Sequence, residues 1–439
     1  MRIAMVGTGY VGLVSAACLS EFGHHVVCVD SDTTKISNLN VGQVPIFEPG
    51  LEEVIAANVK ARRLFFTSQI GPAVVGADTV FIAVGTPSRR GDGHADLTYV
   101  FAAAEEIARS IDRGTVIITK STVPVGTSRQ VEEIVRRARP TIDFDFASNP
   151  EFLREGSAIG DFLRPDRVVV GCDTEHAKEI VREIYRPLYL NETPIVFTSR
   201  ETAELIKYAA NAFLATKITF INEMADLCEK LGGDVQDLAR GIGLDGRIGS
   251  KFLHAGPGFG GSCFPKDTIA LLRTSQEAGA PTRIVETVVA VNDTRKREMA
   301  QRIIRAFQGV TGKVIAVLGL TFKPNTDDMR EAASLTIIPL LKSEGASIRA
   351  YDPEGGREAS NLLDIELCSD AYEAIDGADG VVILTEWNEF RALDLAKMKR
   401  LLKKPLMVDL RNIYRPQQMT EAGFEYFSVG RPQRPGTTV

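Results

Sequence analysis

The sequence has few cysteines, and their spacing suits neither a metal site nor a disulfide framework. Among its 439 residues there are six cysteines, none in a Cys-x-x-Cys pair, and they are too sparse for a disulfide-stapled fold. We therefore expect free thiols, no metal, and a location in the reducing cytoplasm. The six are Cys18, Cys28, Cys172, Cys228, Cys263 and Cys368.

Long apolar runs and an excess of basic charge are also missing. No apolar run approaches the ~18 residues of a membrane-spanning helix, and Gly7, Gly9 and Gly12 interrupt the apolar start that could pass for a signal peptide. The formal net charge is −6, which argues against general attraction to nucleic acid or to anionic membranes. We predict about three domains, on roughly 150 residues each, with any anionic ligand held by a local pocket.

The first thirty residues indicate a strand, a glycine turn, a helix and a second strand. The motif GTGYVG follows a short apolar run and precedes Asp30 by about twenty residues, as in dinucleotide-binding folds. Gly7 would allow the tight turn, Gly9 the approach of a pyrophosphate, and Gly12 the packing of the helix on the strand; the alternative is glycines for packing alone. Asp30 would accept hydrogen bonds from a ribose diol and repel a 2′-phosphate, so NAD is favoured over NADP.

Polar residues follow several further predicted strands. Ligands bind at the carboxyl ends of strands in open α/β sheets, and acids at these ends either take part in chemistry or cap the next helix. The residues in question are Thr86, Lys120, Ser121, Thr122, Asn149, Glu151 and Glu155.

A stretch without proline or glycine runs from Ser199 to Leu231, with apolar residues at helical spacing, and predicts one long helix. Lys207 and Asn211 are four residues apart and share a face. A buried lysine there needs a partner; the alternative is an ammonium group that reaches solvent.

The last ~130 residues repeat the pattern of the first part of the chain. The fold class predicted is therefore α/β, with two Rossmann-like doubly wound sheets joined by a long central helix and a helical region. We predict domains at residues 1–198, 199–308 and 309–439. The second copy has LGLTFK where the first has the glycine motif, so it should bind something other than a dinucleotide there. The matching segments are IAMVG 3–7 with IAVLG 315–319, VVCVD 26–30 with IRAYD 348–352, and GADTVFI 76–82 with GADGVVI 377–383.

Glycines crowd around Cys263 in GFGGSCFPKD, residues 258–267. One interpretation is a tight turn with a buried thiol. Another is chemical: an aldehyde formed by a first hydride transfer can add a cysteine thiol, lose a second hydride to become a thioester, and be released by water. Lys207 and Asn211 could then support the oxyanion, and Asp267 or Glu151 could activate the water. Two alternatives remain: a two-electron hydroxyacid-type dehydrogenase in which Cys263 only packs, and an NAD-sensing or scaffold protein with a decayed active site.

Eight motifs, in order along nearly the whole chain, resemble those of the UDP-glucose 6-dehydrogenases within the wider family of nucleotide-sugar 6-dehydrogenases. This family oxidises a sugar C6 alcohol to a uronic acid with two NAD. The motifs are GTGYVG, GTPSRRGDGHADLTYV, KSTVPVGT, NPEFLREGSAI, ELIKYAANAFLATKITFINE, GFGGSCFPKD, FKPNTDDMREA and VDLRNIYRP.

The resemblance implies a role for each matching residue. It implies Cys263 as the nucleophile, Lys207 and Asn211 as oxyanion stabilisers, and Asp267, Thr122 and Glu151 around the water. The implied NAD site consists of Gly7, Gly9, Tyr10, Val11, Gly12, Asp30, Lys35, Thr86, Ser121, Thr122, Glu155, Lys266 and Arg330. The implied sugar-nucleotide site consists of Glu151, Phe152, Leu153, Lys207, Asn211, Arg247, Phe252, Phe259, Gly260, Lys323 and Arg411.

The resemblance also implies a homodimer built on the central helices, with Arg247 reaching across the interface. Relatives act on GDP-mannose or UDP-N-acetylmannosamine, and they differ from this chain around the cysteine. The sequence here, DGRIGSKFL upstream and CFPKD at the cysteine, favours UDP-glucose. His254 departs from the lysine or asparagine of many members.

Overall fold

The computed structural model describes residues 1–89, 91 and 93–432, and the chain divides into two compact units. The first unit comprises Met1–Ala210 and Arg273–Ala280. The second comprises Asn211–Leu272 and the chain from Pro281 onward. The three-domain division expected from the sequence remains a prediction.

The first unit is built on an eight-stranded sheet in the order β3-β2-β1-β4-β5-β6-β7-β8. Neighbouring strands are parallel, except that β7 runs antiparallel to β6. The strands are β1 (Arg2–Val6), β2 (His25–Val29), β3 (Leu64–Thr67), β4 (Thr79–Ile82), β5 (Val116–Thr119), β6 (Asp145–Ser148), β7 (Val168–Cys172) and β8 (Ile195–Thr198).

Helices cover both faces of this sheet, so its central strands β4 and β5 are apolar and buried along their whole length. The helix α1 packs against α3 and α7 and is buried from Gly12 to Ser20. The helices are α1 (Tyr10–Glu21), α2 (Thr33–Asn40), α3 (Leu51–Lys60), α4 (Ile70–Val74), α5 (Thr98–Ser110), α6 (Thr127–Ala138), α7 (Ala158–Leu163), α8 (Glu175–Ile184) and a 3-10 helix (Arg186–Asn191).

One long helix, α9 (Arg200–Leu231), links the two units. The Ser199 hydroxyl accepts the amide N–H of Thr202 at 3.2 Å and so caps its first turn. Without proline or glycine, the helix continues for 32 residues, as the sequence predicts.

Glu204 on α9 caps the start of α6. Its carboxylate accepts the amide N–H groups of Gly126 at 2.6 Å and Ser128 at 2.8 Å. Burial raises the pKa of Glu204 to about 7, even though these two hydrogen bonds favour the ionised form. The contact therefore combines a helix cap with a carboxyl group that titrates near neutral pH.

The second unit contains a six-stranded parallel sheet in the order β11-β10-β9-β12-β13-β14. The same order, counted from its own first strand, describes the first six strands of the other sheet. The predicted repeat is thus present as a repeated topology. The strands are β9 (Val314–Leu318), β10 (Ser347–Tyr351), β11 (Glu366–Leu367), β12 (Gly380–Ile383), β13 (Leu406–Asp409) and β14 (Glu425–Ser428).

Helices of the second unit form a core with the end of α9 and the inner strands. Within residues 1–89, 91 and 93–432, no helix has the length and apolar character needed to cross a bilayer. The helices are α10 (Val235–Gly243), α11 (Phe264–Glu277), α12 (Arg283–Ala306), α13 (Ser334–Ser343), α14 (Gly356–Leu362), α15 (Ala371–Ile375), α16 (Asn388–Arg391), α17 (Leu395–Leu401) and α18 (Pro416–Glu421).

Candidate active site

The three glycines of the first turn are required for different structural reasons. Gly7 has φ +106°, and a Cβ atom there would lie 2.5 Å from the carbonyl oxygen of Ala83. A Cβ atom at Gly12 would lie 2.0 Å from the carbonyl oxygen of Gly7. Around Gly9, by contrast, no heavy atom of the described residues lies within 4 Å of the Cβ position. Packing requires two of the glycines, whereas the third leaves backbone open at the start of α1, where phosphate groups bind.

Asp30 lies at the end of β2, beside this turn. Its carboxylate accepts the amide and hydroxyl of Thr8 at 3.0 and 2.6 Å, and Lys35 Nζ lies 3.2 Å away. Burial alone would raise the pKa of Asp30, but the hydrogen bonds from Thr8 and Asp32 and the charge of Lys35 outweigh it and hold the pKa below its ordinary value. An ionised acid at this position fits a ribose diol, and the turn fits a dinucleotide.

Other residues of the predicted NAD site make contacts that order the nearby loops. The Tyr10 hydroxyl, at the start of α1, hydrogen-bonds to Glu48. Thr86 Oγ1 donates to the carbonyl of Thr122 at 2.9 Å, and Ser121 Oγ donates to the carbonyl of Val84 at 2.7 Å. Val11 lies in α1 and Glu155 in the half-buried loop after β6.

A buried ion pair lies at the carboxyl end of the same sheet. Lys207 Nζ on α9 lies 3.0 Å from Glu151 Oε1, and both side chains are buried. The lysine thus does not reach solvent, and its partner is the acid that follows β6. Phe152 lies beside the pair, its ring centroid 5.3 Å from Lys207 Nζ, and Leu153 donates its amide N–H to Glu151 Oε2 at 2.5 Å.

The ionised form of Glu151 is favoured. Burial alone would raise its pKa, but the charge of Lys207, the Leu153 amide and the charge of Lys120 together bring the pKa below its ordinary value. Glu151 is therefore a carboxylate beside Lys207, and both side chains are buried.

A second pair of candidate residues meets in the second unit. Asn211 Nδ2 on α9 donates to Asp267 Oδ2 at 2.6 Å, and Lys266 Nζ lies 2.6 Å from Asp267 Oδ1. Asp267 is fully buried in the first turn of α11. Both of its oxygens therefore accept a hydrogen bond, one of them from a charged donor.

Cys263 immediately precedes α11, and its carbonyl accepts the amide N–H of Asp267 at 2.8 Å. Its side chain is only partly buried, and the Ser262 hydroxyl lies 3.4 Å from its Sγ. The start of a helix favours a negative charge, such as that of a reacting thiolate. The thiol and the Asp267 carboxylate are thus one helical turn apart.

The glycines beside Cys263 accommodate the protein's own chain. A Cβ atom at Gly260 would lie 2.2 Å from the carbonyl oxygen of Glu331, and one at Gly261 would lie 2.7 Å from the ring of Phe322. Gly261 also donates its amide N–H to the carbonyl of Arg330 at 2.8 Å. These glycines therefore leave room for the loop after β9.

Residues on α12 hold the same loop, and the sequence interpretation did not select them. Asn292 Oδ1 accepts the amide N–H of Phe259 at 2.8 Å, and its Nδ2 donates to the carbonyl of Phe259 at 3.1 Å. Arg295 Nε donates to the carbonyl of Gly256 at 2.9 Å. Gly258, with φ +105°, leaves room for the Asn292 amide. The available signal was three polar residues, Asn292, Arg295 and Lys296, on a helix face that is otherwise apolar.

The cations of the second sheet fall into two groups. Arg411 is mostly buried, donates to the carbonyls of Leu384 at 2.7 Å and Phe322 at 3.0 Å, and lies 3.1 Å from Glu386 Oε2. Lys323 lies with its Nζ 5.1 Å from the Phe322 ring centroid. Both follow strands of this sheet, at its carboxyl end.

Two other predicted arginines are exposed and paired with nearby acids in their own loops. Arg247 Nη2 lies 2.6 Å from Asp245, and Arg330 Nη2 lies 2.8 Å from Asp328. Phe252 has φ +66°, a conformation that is strained for a bulky residue. Such strain is common in binding loops.

In the second sheet, Asp352 follows β10 at the position equivalent to Asp30. Its carboxylate accepts the amides of Leu320 at 2.6 Å and Gly355 at 2.7 Å, and the indole N–H of Trp387 at 3.2 Å. The protein's own groups surround this acid, in agreement with the loss of the dinucleotide motif from the second copy.

Two Rossmann-type sheets, a glycine turn that fits a dinucleotide, and a cysteine loop define an NAD-dependent dehydrogenase of the two-sheet class. Three domain families match in order along the chain. Residues 1–189 match the NAD binding domain of the UDP-glucose/GDP-mannose dehydrogenase family, residues 201–294 its central domain, and residues 316–416 its UDP binding domain. The chain belongs to the UDP-glucose/GDP-mannose dehydrogenase family, and its cofactor is NAD.

Full-length relatives support the same assignment. The UDP-glucose 6-dehydrogenase of Rhizobium meliloti (strain 1021) is 61% identical over 436 residues, covering 98% of this chain and 100% of the relative. The UDP-glucose 6-dehydrogenase TuaD of Bacillus subtilis (strain 168) is 48% identical, covering 99% and 94%. A solved UDP-glucose dehydrogenase from Pyrobaculum islandicum is 37% identical, covers 98% of each chain, and superposes with a TM-score of 0.91.

Proposed function

We propose that the enzyme oxidises the C6 alcohol of UDP-glucose to the carboxylate of UDP-glucuronate, with Cys263 as the covalent nucleophile. The observation that carries the mechanism is the placement of Cys263 at the start of α11, one turn before an Asp267 carboxylate held by Asn211. Support for the substrate comes from the full-length similarity to UDP-glucose 6-dehydrogenases.

NAD, when bound, would supply the oxidising power for both oxidations, so that the alcohol, two NAD⁺ and water would give the carboxylate, two NADH and three protons. Gly7, Gly9 and Gly12 would hold the cofactor by backbone at the start of α1, and Asp30 and Lys35 would lie at its ribose. The rest of the proposed NAD site consists of Tyr10, Val11, Thr86, Ser121, Thr122, Glu155, Lys266 and Arg330.

Cys263 would attack the C6 aldehyde through its thiolate, forming a C–S bond while the carbonyl electrons move to oxygen. Lys207 and Asn211 would donate hydrogen bonds to that oxyanion. The thioester that follows the second oxidation would be cleaved by water, whose proton would pass to Asp267 or Glu151, with Thr122 positioning the water. The thiol then leaves as thiolate and the carboxylate is released.

For the sugar nucleotide we propose recognition by both charge and aromatic surface. Lys323 and Arg411 would contact the diphosphate, which suits ammonium and guanidinium groups. We also propose that the substrate is contacted by Phe152, Leu153, Phe252, Phe259 and Gly260. The location that we propose for the enzyme is the cytoplasm.

The test is the amount of NADH formed per UDP-glucose consumed to completion, in the wild type, in Cys263→Ser and in Cys228→Ser as a control. We expect two NADH per UDP-glucose in the wild type and the control, and loss of steady turnover in Cys263→Ser. One NADH per sugar with an unimpaired Cys263→Ser would instead indicate a two-electron dehydrogenase. GDP-mannose and UDP-N-acetylmannosamine, run in parallel, test the substrate, and preferred turnover of either would overturn it.

We further propose a homodimer built on α9. Phe213, Phe220 and Leu227 are seven residues apart, about two helical turns, and so lie on one face. They are 66%, 45% and 48% exposed. Large apolar side chains repeated on an exposed helix face are characteristic of an association surface. Arg247 would lie at this interface, as the resemblance implies.

A further inference from the structure

The first unit contains a buried lysine to which the proposed mechanism gives no role. Lys120 follows β5 and is 4% exposed. Its Nζ donates to Asn149 Oδ1 at 3.1 Å and to the Tyr185 hydroxyl at 3.3 Å. Among the residues that the structure describes, no carboxylate lies within 4 Å of this ammonium group. A buried cation with neutral partners is costly to keep, which calls for a functional explanation.

The partners of Lys120 do not need it for their own hydrogen bonds. The Tyr185 hydroxyl donates to Asn149 Oδ1 at 2.6 Å, and Asn149 Nδ2 donates to the carbonyl of Val169 at 2.8 Å. The ring of Phe162 covers the ammonium group at 5.8 Å. Removing the charge would therefore leave a satisfied Asn149–Tyr185 pair in an apolar environment.

The charge of Lys120 acts on the Glu151–Lys207 pair. Burial lowers the pKa of Lys120 to about 8, while Glu151 raises it and Lys207 lowers it. Lys120 follows Thr119, which pairs with Ser148 of the neighbouring strand, and its partner Asn149 lies two residues before Glu151. The charged and titratable groups that act on it are Glu151, Lys207 and the Tyr185 phenol. With Lys120 and Lys207 as ammonium groups and Glu151 as a carboxylate, this cluster carries a net charge of one positive unit.

We propose that Lys120 is an electrostatic positioning residue, which supplies the net positive charge with which the Glu151–Lys207 cluster stabilises a negatively charged intermediate. The argument rests on the proposed function, in which Lys207 donates to an oxyanion. When Lys207 turns its hydrogen bond toward that oxyanion, Glu151 loses its closest cation. The charge of Lys120 then keeps Glu151 ionised.

The experiment compares Lys120→Met, which has similar length and no charge, with Lys120→Arg, which keeps the charge, and Tyr185→Phe, which removes a hydroxyl but no charge. For Lys120→Met we expect an unchanged or higher thermal unfolding midpoint together with an about 10- to 100-fold lower kcat, less than the roughly 10²–10³-fold loss typical for a direct oxyanion donor. Lys120→Arg should recover part of kcat.

A direct readout is the infrared carboxyl signal of Glu151, titrated as a difference spectrum against Glu151→Gln. We expect the Glu151 pKa to rise in Lys120→Met and to stay in place in Tyr185→Phe. An unchanged kcat, or a loss of kcat that only follows a lower unfolding midpoint without movement of the Glu151 titration, would overturn the proposal. If Glu151→Gln and Lys207→Met themselves kept wild-type kcat, the site assignment would be the part that fails.

Discussion

Asn211 Nδ2 and Asp267 Oδ2 are joined by a 2.6 Å hydrogen bond inside the second unit. Lys207 and Glu151 are joined in the same way inside the first unit. Each candidate oxyanion donor on α9 is thus paired with a candidate base for the water. The two pairs are chemically different, since one contains a neutral amide and the other an ammonium group.

The position of each acid relative to Cys263 leads to a prediction about which of them activates water. Replacing the water's base should slow thioester cleavage but leave both oxidations intact, so NADH should appear as a burst of two per active site, followed by turnover about 10²–10⁴-fold slower than in the wild type. We expect this burst for Asp267→Asn, because Asp267 lies one turn from Cys263.

Stopped-flow absorbance of NADH makes the measurement, with Asp364→Asn, an exposed acid of the second unit, as the control. A two-NADH burst in Glu151→Gln and none in Asp267→Asn would assign the water to Glu151 instead.

The hydrogen bonds from Asn292 on α12 to the Phe259 backbone lead to a prediction for the second oxidation. Asn292→Ala removes both hydrogen bonds to the Phe259 backbone and should let the loop before Cys263 shift. A displaced thiol captures less of the aldehyde, so the NADH yield per UDP-glucose should fall below two in the variant, with aldehyde detectable by a carbonyl reagent. A mere loss of folded enzyme would lower the rate and keep the yield at two.

Thr294→Ala is the matched control, because Thr294 is exposed two positions further along α12. It should keep the wild-type yield. Slower alkylation of Cys263 by iodoacetamide in Asn292→Ala would report the same change without substrate.

Alanine substitutions at Gly9 and Gly12 should affect different properties, namely NAD binding and the stability of the fold. Gly9→Ala adds a methyl group to open space and should leave the unfolding midpoint nearly unchanged while weakening NAD binding at least tenfold. Gly12→Ala drives a methyl group against the Gly7 carbonyl and should destabilise the protein by several kcal/mol, on the order of overpacked cores. Calorimetry of NAD binding and thermal unfolding of the apoprotein separate the two. Equal loss of stability in both variants would contradict the open position at Gly9.

Glu204 predicts a pH-dependent stability. Its folded-state pKa of about 7 lies above the 4.5 of the free side chain, so the stability it contributes is fully present below pH 4.5 and is lost as pH rises through 7. The shift corresponds to about 3 kcal/mol at roughly 1.4 kcal/mol per unit. Compared with the wild type, Glu204→Gln should unfold with a flatter pH dependence over this range.

The measurement is the unfolding midpoint between pH 4.5 and 8. Glu201→Gln, three residues earlier on α9 and more exposed, provides the comparison: salt links to Arg129 lower the pKa of Glu201, so its removal should not flatten the curve. Parallel curves for the wild type and Glu204→Gln would show that Glu204 is ionised throughout.

A charge introduced on the exposed apolar face of α9 should change the oligomeric state. Phe220→Glu places a charge in the middle of the apolar face and should convert the proposed dimer into monomers at micromolar concentration. Leu190→Glu, at a more exposed position of the first unit, should not. Sedimentation equilibrium decides between them, and an unchanged mass for Phe220→Glu would rule out this face as the interface.

Sequence patterns were sufficient to predict individual strands, the glycine turn, the long helix and the second sheet. The strand–glycine–strand pattern located β1, α1 and β2, and the internal repeat predicted the second sheet. The absence of proline and glycine predicted α9 almost to the residue. These features depend on local periodicity and on glycines, which a sequence displays directly.

Side-chain partners could not be predicted in the same way. The sequence placed Glu151 and Asp267 as alternatives, and only the fold pairs one with Lys207 and the other with Asn211. The role of Asn292 was also hidden, because its partner is a backbone group 33 positions away. Contacts between distant segments depend on how helices and sheets pack, which spacing along the chain does not encode.

Asp352 has a consequence for protein engineering. Restoring GxGxxG in the loop after β9 would recreate the motif, yet the acid that should meet a ribose already has amide and indole donors around it. A redesign would have to remove the Trp387 contact and reshape two loops before any nucleotide could compete. The second sheet is therefore a poor starting point for a new cofactor site, despite sharing its strand order with a working one.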